Sequence, residues 1–169
     1  GSWMYTETHD LALEAGARHV LDADIKDCFG QMDNRLVLER LRRWGVPGPM
    51  RDLVHRWLHA EIWNAWRGNG LAGTSQGGVI SPLLCNLYLH PFDQQVSQRR
   101  GVWLVRYADD FLCLARDERG IRQAESQAKG SLRRLRLQLH PDKTRITSFE
   151  EGFQFVGWFF IRDEMYRLK

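Results

Sequence analysis

The sequence predicts an α+β fold: an antiparallel sheet with helices packed on one face, closed by a C-terminal β-hairpin. Three observations predict it. Short segments alternate apolar and polar residues with period two, longer segments carry apolar residues at helical spacing, and tight turns join neighbouring strands. The chain has 169 residues, which suits one domain of about 100–200 residues. Hydrophobic residues make up 43% and charged residues 27%, which excludes a disordered or fibrous chain. No apolar run approaches the roughly 20 residues that span a bilayer, so no membrane partner is expected. Gly1 and Ser2 stand before Trp3-Met4 and read as an expression scar. Residues 3–169 are taken as a single domain.

The elements follow in order. Residues 8–17 have a helical pattern, with Gly16 near the end. His19 to Ile25 alternates Val20, Asp22 and Asp24 against Leu21, Ala23 and Ile25, a strand with its acids on one face. Asn34 is placed to cap a helix with Leu36, Val37, Leu41 and Trp44 on one side and Gly45 as its stop. Pro49 opens another helix carrying Leu53, Val54, Trp57 and Leu58. Glu61 to Arg67 alternates like a strand, Gly68-Asn69-Gly70 is a turn, and Leu71 onward pairs back. Ser81-Pro82 starts a helix with Leu83, Leu84, Leu87 and Tyr88, expected to bend near Pro91. Val102 to Tyr107 and Phe111 to Ala115 are apolar strands around Ala108-Asp109-Asp110. Gly120 to Leu139 is a basic amphipathic helix with Ile121, Ala124, Ala128, Leu132 and Leu135 inward. Thr144 to Ser148 is a further strand, and Phe153 to Phe160 with Met165 to Leu168 forms the closing hairpin.

Composition adds little about partners. Net charge is +3, which leans weakly toward a polyanion partner. Most basic residues are arginine, which suits bidentate phosphate contacts. The seven tryptophans fit an aromatic core better than a base-stacking surface. Cys28, Cys85 and Cys113 are odd in number and lack CxxC spacing, which argues against a disulfide framework or zinc ribbon and fits a reducing, cytoplasmic setting.

The paired carboxylates Asp109 and Asp110 sit between two apolar strands, where like charges repel and the fold gains nothing. Two readings stay open from this segment alone: a solvated turn, because Asp favours turns, or metal ligands. Asp24 ends another strand with Asp22 on its face. If that strand lies beside the hairpin, three carboxylates converge. Such a set can hold two Mg²⁺ about 4 Å apart for an in-line phosphoryl transfer. Oxygen donors without a His or Cys cluster favour Mg²⁺ over Zn²⁺.

Five blocks in order then resemble the palm domain of reverse transcriptases, most closely the group II intron type and its maturase-type and CRISPR-associated bacterial relatives. They are Asp24-Ile25-Lys26-Asp27-Cys28-Phe29, the seventeen residues from Gly73 to Leu89, Tyr107-Ala108-Asp109-Asp110, Leu139 to Thr144, and Phe155-Val156-Gly157-Trp158. The resemblance implies an RNA-directed DNA polymerase acting on an RNA or DNA template-primer and dNTPs. It implies a metal set of Asp24, Asp109, Asp110 and the Ile25 carbonyl holding two Mg²⁺, with Mn²⁺ able to substitute. Phe29 would stack under the sugar and exclude a 2′-hydroxyl, although a core aromatic fits that position too. Gln76 would contact the incoming nucleotide, Tyr107 and Ala108 would lie near the primer terminus, and Lys143 would donate a proton to pyrophosphate, unless it is a plain surface lysine. Asp22 and Asp27 are taken as structural.

Two departures stand out: Ser75 replaces the usual proline, and Gly30 stands where relatives often carry Asp. About twenty residues precede Asp24 and the sequence stops right after Met165-Tyr166-Arg167-Leu168, so the fingers upstream and the thumb downstream are expected to be largely absent. Two alternatives follow: a palm fragment that folds, binds nucleic acid or self-associates through surfaces those regions would cover, without polymerising, and another palm enzyme such as a nucleotide cyclase. The second is disfavoured by the blocks around Gln76, Phe29 and Asp109.

Overall fold

Period-two alternation makes β1 (His19–Asp24), β2 (Val102–Tyr107), β3 (Asp110–Ala115) and β4 (Arg145–Ser148) into one four-stranded antiparallel sheet of order β2-β3-β1-β4. The computed structural model describes residues 10, 13–66 and 81–168. They separate into two compact units. One holds the residues up to Lys26, Pro91–Arg133 and those from Gln138 onward; the other holds Asp27–His90 and Arg134–Leu137. Among the described residues no helix is long and apolar enough to cross a membrane.

In the first unit the register sorts side chains by face. Val20, Asp22 and Asp24 align with Leu114, Leu112 and Asp110, which align with Trp103, Val105 and Tyr107. Leu21 and Ala23 align with Cys113 and Phe111 on the opposite face, and all four are buried. That second face carries the helices. Phe92, in α4 (Ser81–Ser97), meets Phe111 edge-on with ring centroids 5.0 Å apart. The amphipathic α5 (Glu118–Arg134) buries Ile121, Ala124, Ala128 and Leu132, as its apolar spacing predicts. The Asp117 carboxylate accepts the Gly120 amide at 2.6 Å ahead of it. The helix ends at Arg134, five residues short of the predicted Leu139, and Arg136 then takes a positive φ of 59°.

The first face is covered at one end by a second sheet. β5 (Phe153–Phe155), β6 (Trp158–Ile161) and β7 (Glu164–Arg167) form a three-stranded antiparallel sheet. Phe153, Phe155 and Phe160 join Phe149 in one buried cluster with Val20, Val105, Leu112 and Leu114. The expected two-stranded hairpin is therefore corrected to three strands. Val156 and Gly157 both adopt positive φ (48° and 78°) and break the Phe153–Phe160 run into a tight two-residue turn. A β-branched valine disfavours that conformation, so the break has no clear sequence signal.

The second unit is helical. α1 (Cys28–Gln31) follows Asp27, whose φ of 45° is left-handed. α2 (Asn34–Arg43) is capped by Asp33, one residue before the predicted Asn34, and the Asp33 carboxylate accepts the Arg35 amide at 2.9 Å. α3 spans Gly48–Trp66. The predicted strand at residues 61–66 is thus helical. Propagating an established helix through Ala60, Glu61 and Ala65 needs no new nucleation, which outweighs a weak alternation. The turn at Gly68–Gly70 and the strand from Leu71 lie outside the described residues. α4 continues through Pro91 as helix. Tyr88 ties the helices together: its hydroxyl donates to the Leu135 carbonyl at 2.5 Å and accepts the Asp33 amide at 3.2 Å. Arg40 stacks over the Tyr88 ring and donates to the Leu87 and Tyr88 carbonyls. All three cysteines are buried and none forms a disulfide. Trp44, Leu53, Trp57 and Leu83, expected on buried faces, are exposed.

Candidate functional site

The open end of the first sheet face carries the acids. Asp24 is the last residue of β1 and lies directly opposite Asp110, the first of β3. Tyr107, the last residue of β2, lies opposite Asp110 on the other side. Ala108 and Asp109 form the two-residue turn between β2 and β3. Ala108 has φ 54°, left-handed backbone that costs a non-glycine residue about 1 kcal/mol. The turn is joined to β1 by the Ile25 amide, which donates to the Asp109 carbonyl at 3.0 Å. The His140 amide donates to the Asp24 carbonyl at 2.8 Å, and the Lys26 amide to the Gln138 carbonyl at 2.9 Å. Backbone hydrogen bonds thus bring three chain segments together around Asp24.

Lys143 arrives on a short turn. Pro141 opens a 3-10 helix over Pro141–Lys143, where the Asp142 amide donates to His140 Nδ1 at 3.3 Å. The Thr144 hydroxyl donates to the His140 carbonyl at 2.7 Å and closes the turn. The Lys143 ammonium then donates to Asp24 Oδ2 at 3.0 Å. Beside it, Arg145 Nε donates to Asp22 Oδ2 at 3.0 Å, across the register pair that β1 and β4 define. The result is a cleft of about 380 Å³ whose lining includes Asp22, Asp24, Asp110, Asp142, Lys143 and Arg145.

Burial and neighbouring carboxylates together raise the proton affinity of Asp109 and Asp110. Burial pushes the Asp110 carboxyl up to about 6, helped by a hydrogen bond to Asp24 and by the charges of Asp24 and Asp109, while Lys143 opposes. Burial, then the charge of Asp24, raises Asp109, against its own backbone amide and Lys143. Burial raises Asp22 against Arg145. Lys143 is raised by its bond to Asp24 and by the acidic surroundings, so it stays protonated. A site of this kind binds a proton or a cation to relieve the crowding. Its donors are hard oxygens, which fit Mg²⁺ or Mn²⁺ rather than Zn²⁺. Among the described residues no three His, Cys, Asp or Glu side chains already converge on one metal position. Asp24 and Asp110 form the facing pair, and Asp109 stands beside it in the turn.

Of the sequence-predicted residues, Asp24, Asp109, Asp110 and Lys143 come together in the first unit. Ile25 is fully buried next to Asp24. Tyr107 is 53% exposed and Ala108 lies in the turn. Phe29 is half-buried on α1 in the second unit. Gly30 fits there because an added Cβ would run into the Asp27 carboxylate. Gln76 and Ser75 lie outside the described residues. Sequence reasoning missed Asp142, Arg145 and Gln154, which also line the cleft. Arg145 falls in the strand predicted from Thr144, but its place beside Asp22 depends on the β1–β4 register, which the sequence does not give.

The family model described as Reverse transcriptase (RNA-dependent DNA polymerase) matches residues 3–160. Protein YkfC of Escherichia coli is 27% identical over 184 residues, covering 88% of this chain and 48% of that protein. The group II intron-encoded protein LtrA of Lactococcus lactis is 36% identical over 84 residues, covering 49% of this chain and 14% of its own length. The chain therefore spans about half, or less, of the curated relatives it matches. Among solved structures, apo telomerase from Candida tropicalis, truncated from its C-terminal domain, superposes with a TM-score of 0.68 at 13% identity, covering 96% of this chain and 38% of that one. Candida albicans telomerase in complex with a fragment of telomeric RNA gives a TM-score of 0.64 at 16% identity, covering 96% and 32%. At those identities the structural likeness speaks for the fold alone.

Proposed function

The chain belongs to the reverse transcriptase family, of the group II intron type, and is by family an RNA-directed DNA polymerase; from that premise we propose that it is the palm region, which adds dNTPs to a primer 3′-hydroxyl on an RNA or DNA template. The observation that carries this reading is the facing Asp24–Asp110 pair with Asp109 in the adjoining turn. Asp24, Asp109, Asp110 and the Ile25 carbonyl would hold two Mg²⁺, or Mn²⁺ in their place. When bound, these ions supply charge stabilisation to the attacking and leaving oxygens.

The chain's own groups supply the rest. Lys143 keeps its proton in the acidic setting and can pass it to the pyrophosphate leaving oxygen. Until then its ammonium is held at Asp24. Phe29 would exclude a ribose 2′-hydroxyl by bulk, and Gln76 would hold the incoming nucleotide's sugar. Tyr107, exposed beside Asp110, would pack with Ala108 near the primer terminus. Most of the rate would come from positioning and electrostatics.

Primer extension with Mg²⁺ or Mn²⁺ tests the proposal, comparing the parent with Asp109→Ala/Asp110→Ala. Loss of extension in the variant is expected. Equal activity in both proteins would sink the assignment. A second reading, a fragment that self-associates without polymerising, draws on the exposed Trp44, Met50, Leu53, Trp57 and Leu83. Light scattering after gel filtration separates the two: a strict monomer at high concentration counts against assembly.

A further inference from the structure

We propose that Arg106 and Asp93 are a positioning pair that sets the Ala108-Asp109 turn and, through it, the direction of the Asp109 and Asp110 carboxylates. The kinetic consequence rests on the polymerase reading; the tether itself does not. Arg106 precedes Tyr107 in β2, so alternation sends its side chain to the face opposite Asp110, the one that carries the helices. There the side chain is only 9% exposed. Its Nε and Nη2 donate to the two carboxylate oxygens of Asp93, in α4, at 2.6 and 2.5 Å. This two-point geometry fixes the plane of the guanidinium. Nη1 is thereby aimed at the turn and donates to the Ala108 carbonyl at 2.7 Å.

The next carbonyl, that of Asp109, accepts the Ile25 amide at 3.0 Å. Both carbonyls of the two-residue turn are therefore held, one from the helical side of the sheet and one by the end of β1. Ala108 needs such restraint. Its φ of 54° is a conformation that persists only where the surroundings over-determine it. An ion pair that merely filled space beneath the sheet would not have to reach the turn. A lysine could still neutralise Asp93, but one ammonium cannot reproduce the planar fork and reach the carbonyl as well.

The test uses the full chain with Arg106→Lys and Asp93→Asn, and Arg122→Gln as a control that removes only the exposed Glu118–Arg122 pair. Two readouts are taken: primer-extension kcat and dNTP KM, and hydrogen exchange of the Ile25 amide against that of Leu21 in mid-strand. Expected in Arg106→Lys is a kcat loss of roughly 10–100-fold with KM within about twofold. Ile25 protection should fall about tenfold while Leu21 keeps its protection. Asp93→Asn should show the same pattern more weakly, and Arg122→Gln neither change. Parent-like Ile25 protection in both variants would overturn the tether, whatever happens to kcat. Equal loss at Ile25 and Leu21 would overturn it too, since the pair would then only stabilise the sheet. If the parent fails to extend a primer, the polymerase reading falls, and Ile25 exchange still decides the tether.

Discussion

One face of the four-stranded sheet has two ends built by the same alternation and put to opposite uses. At one end Val20 and Leu114 are register partners, sealed under Phe149, Phe153 and Phe160. At the other, four residues along β1, Asp24 and Asp110 are register partners in an open, acidic cleft. The C-terminal sheet covers the first end, where the crowded charges of the second would be costly to bury. The stability of this unit and the chemistry proposed for it share one surface but depend on different residues. Substitutions should separate them.

The largest effect on stability is expected at the covered end. Phe153→Ala should cost about 3–5 kcal/mol, read as a lower urea midpoint. Loss of the acidic end's activity should come without that cost. Asp110→Asn should lower primer extension by about 10²–10³-fold, while its melting temperature matches or exceeds the parent's, because a crowded charge is removed. A melting temperature that falls as far as that of Phe153→Ala would erase the distinction between the ends.

A pH series sharpens the comparison next. In the metal-free protein the Asp110 carboxyl is pushed up to about 6 from its ordinary 3.8. The folded chain therefore binds more protons than the unfolded chain between those values, so this group's contribution to stability falls as pH rises through that window. The stability advantage of Asp110→Asn over the parent should grow from about pH 4 to about pH 6 and then level off. Asp24→Asn should move the Asp110 titration, followed by carboxyl NMR, back toward 3.8. An unmoved titration would remove Asp24 as a cause. The smallest effect is expected at the cleft rim: Arg145→Gln removes the exposed partner of Asp22 and should change stability by less than about 1 kcal/mol.

The sequence made much of this legible where a repeating pattern reports burial directly. β1, the two strands around Asp109, and the inward residues Ile121, Ala124, Ala128 and Leu132 follow from periods of two and of 3.6. The pairing of Asp24 with Asp110 was conditional on strand order, which alternation cannot supply. The Lys143–Asp24 bond joins residues 119 positions apart and depends on the same order. Periodicity found the helix faces carrying Trp44 and Trp57 but could not say what, if anything, covers them. The strand expected at residues 61–66 failed because local alternation was read without the helix running into it. Arg106 was passed over because its role depends on Asp93, in a helix whose placement under the sheet is a tertiary fact.

The two-residue turn at Ala108-Asp109 also limits how this segment can vary in length. Tyr107 pairs with Asp110, and Asp110 with Asp24, leaving no spare residue in which a slip could be absorbed. An insertion or deletion of one residue on either side would exchange Asp110 with Phe111, turning a carboxylate toward the helices and a fully buried aromatic toward water. Within this segment one count of residues addresses both the acids and the core.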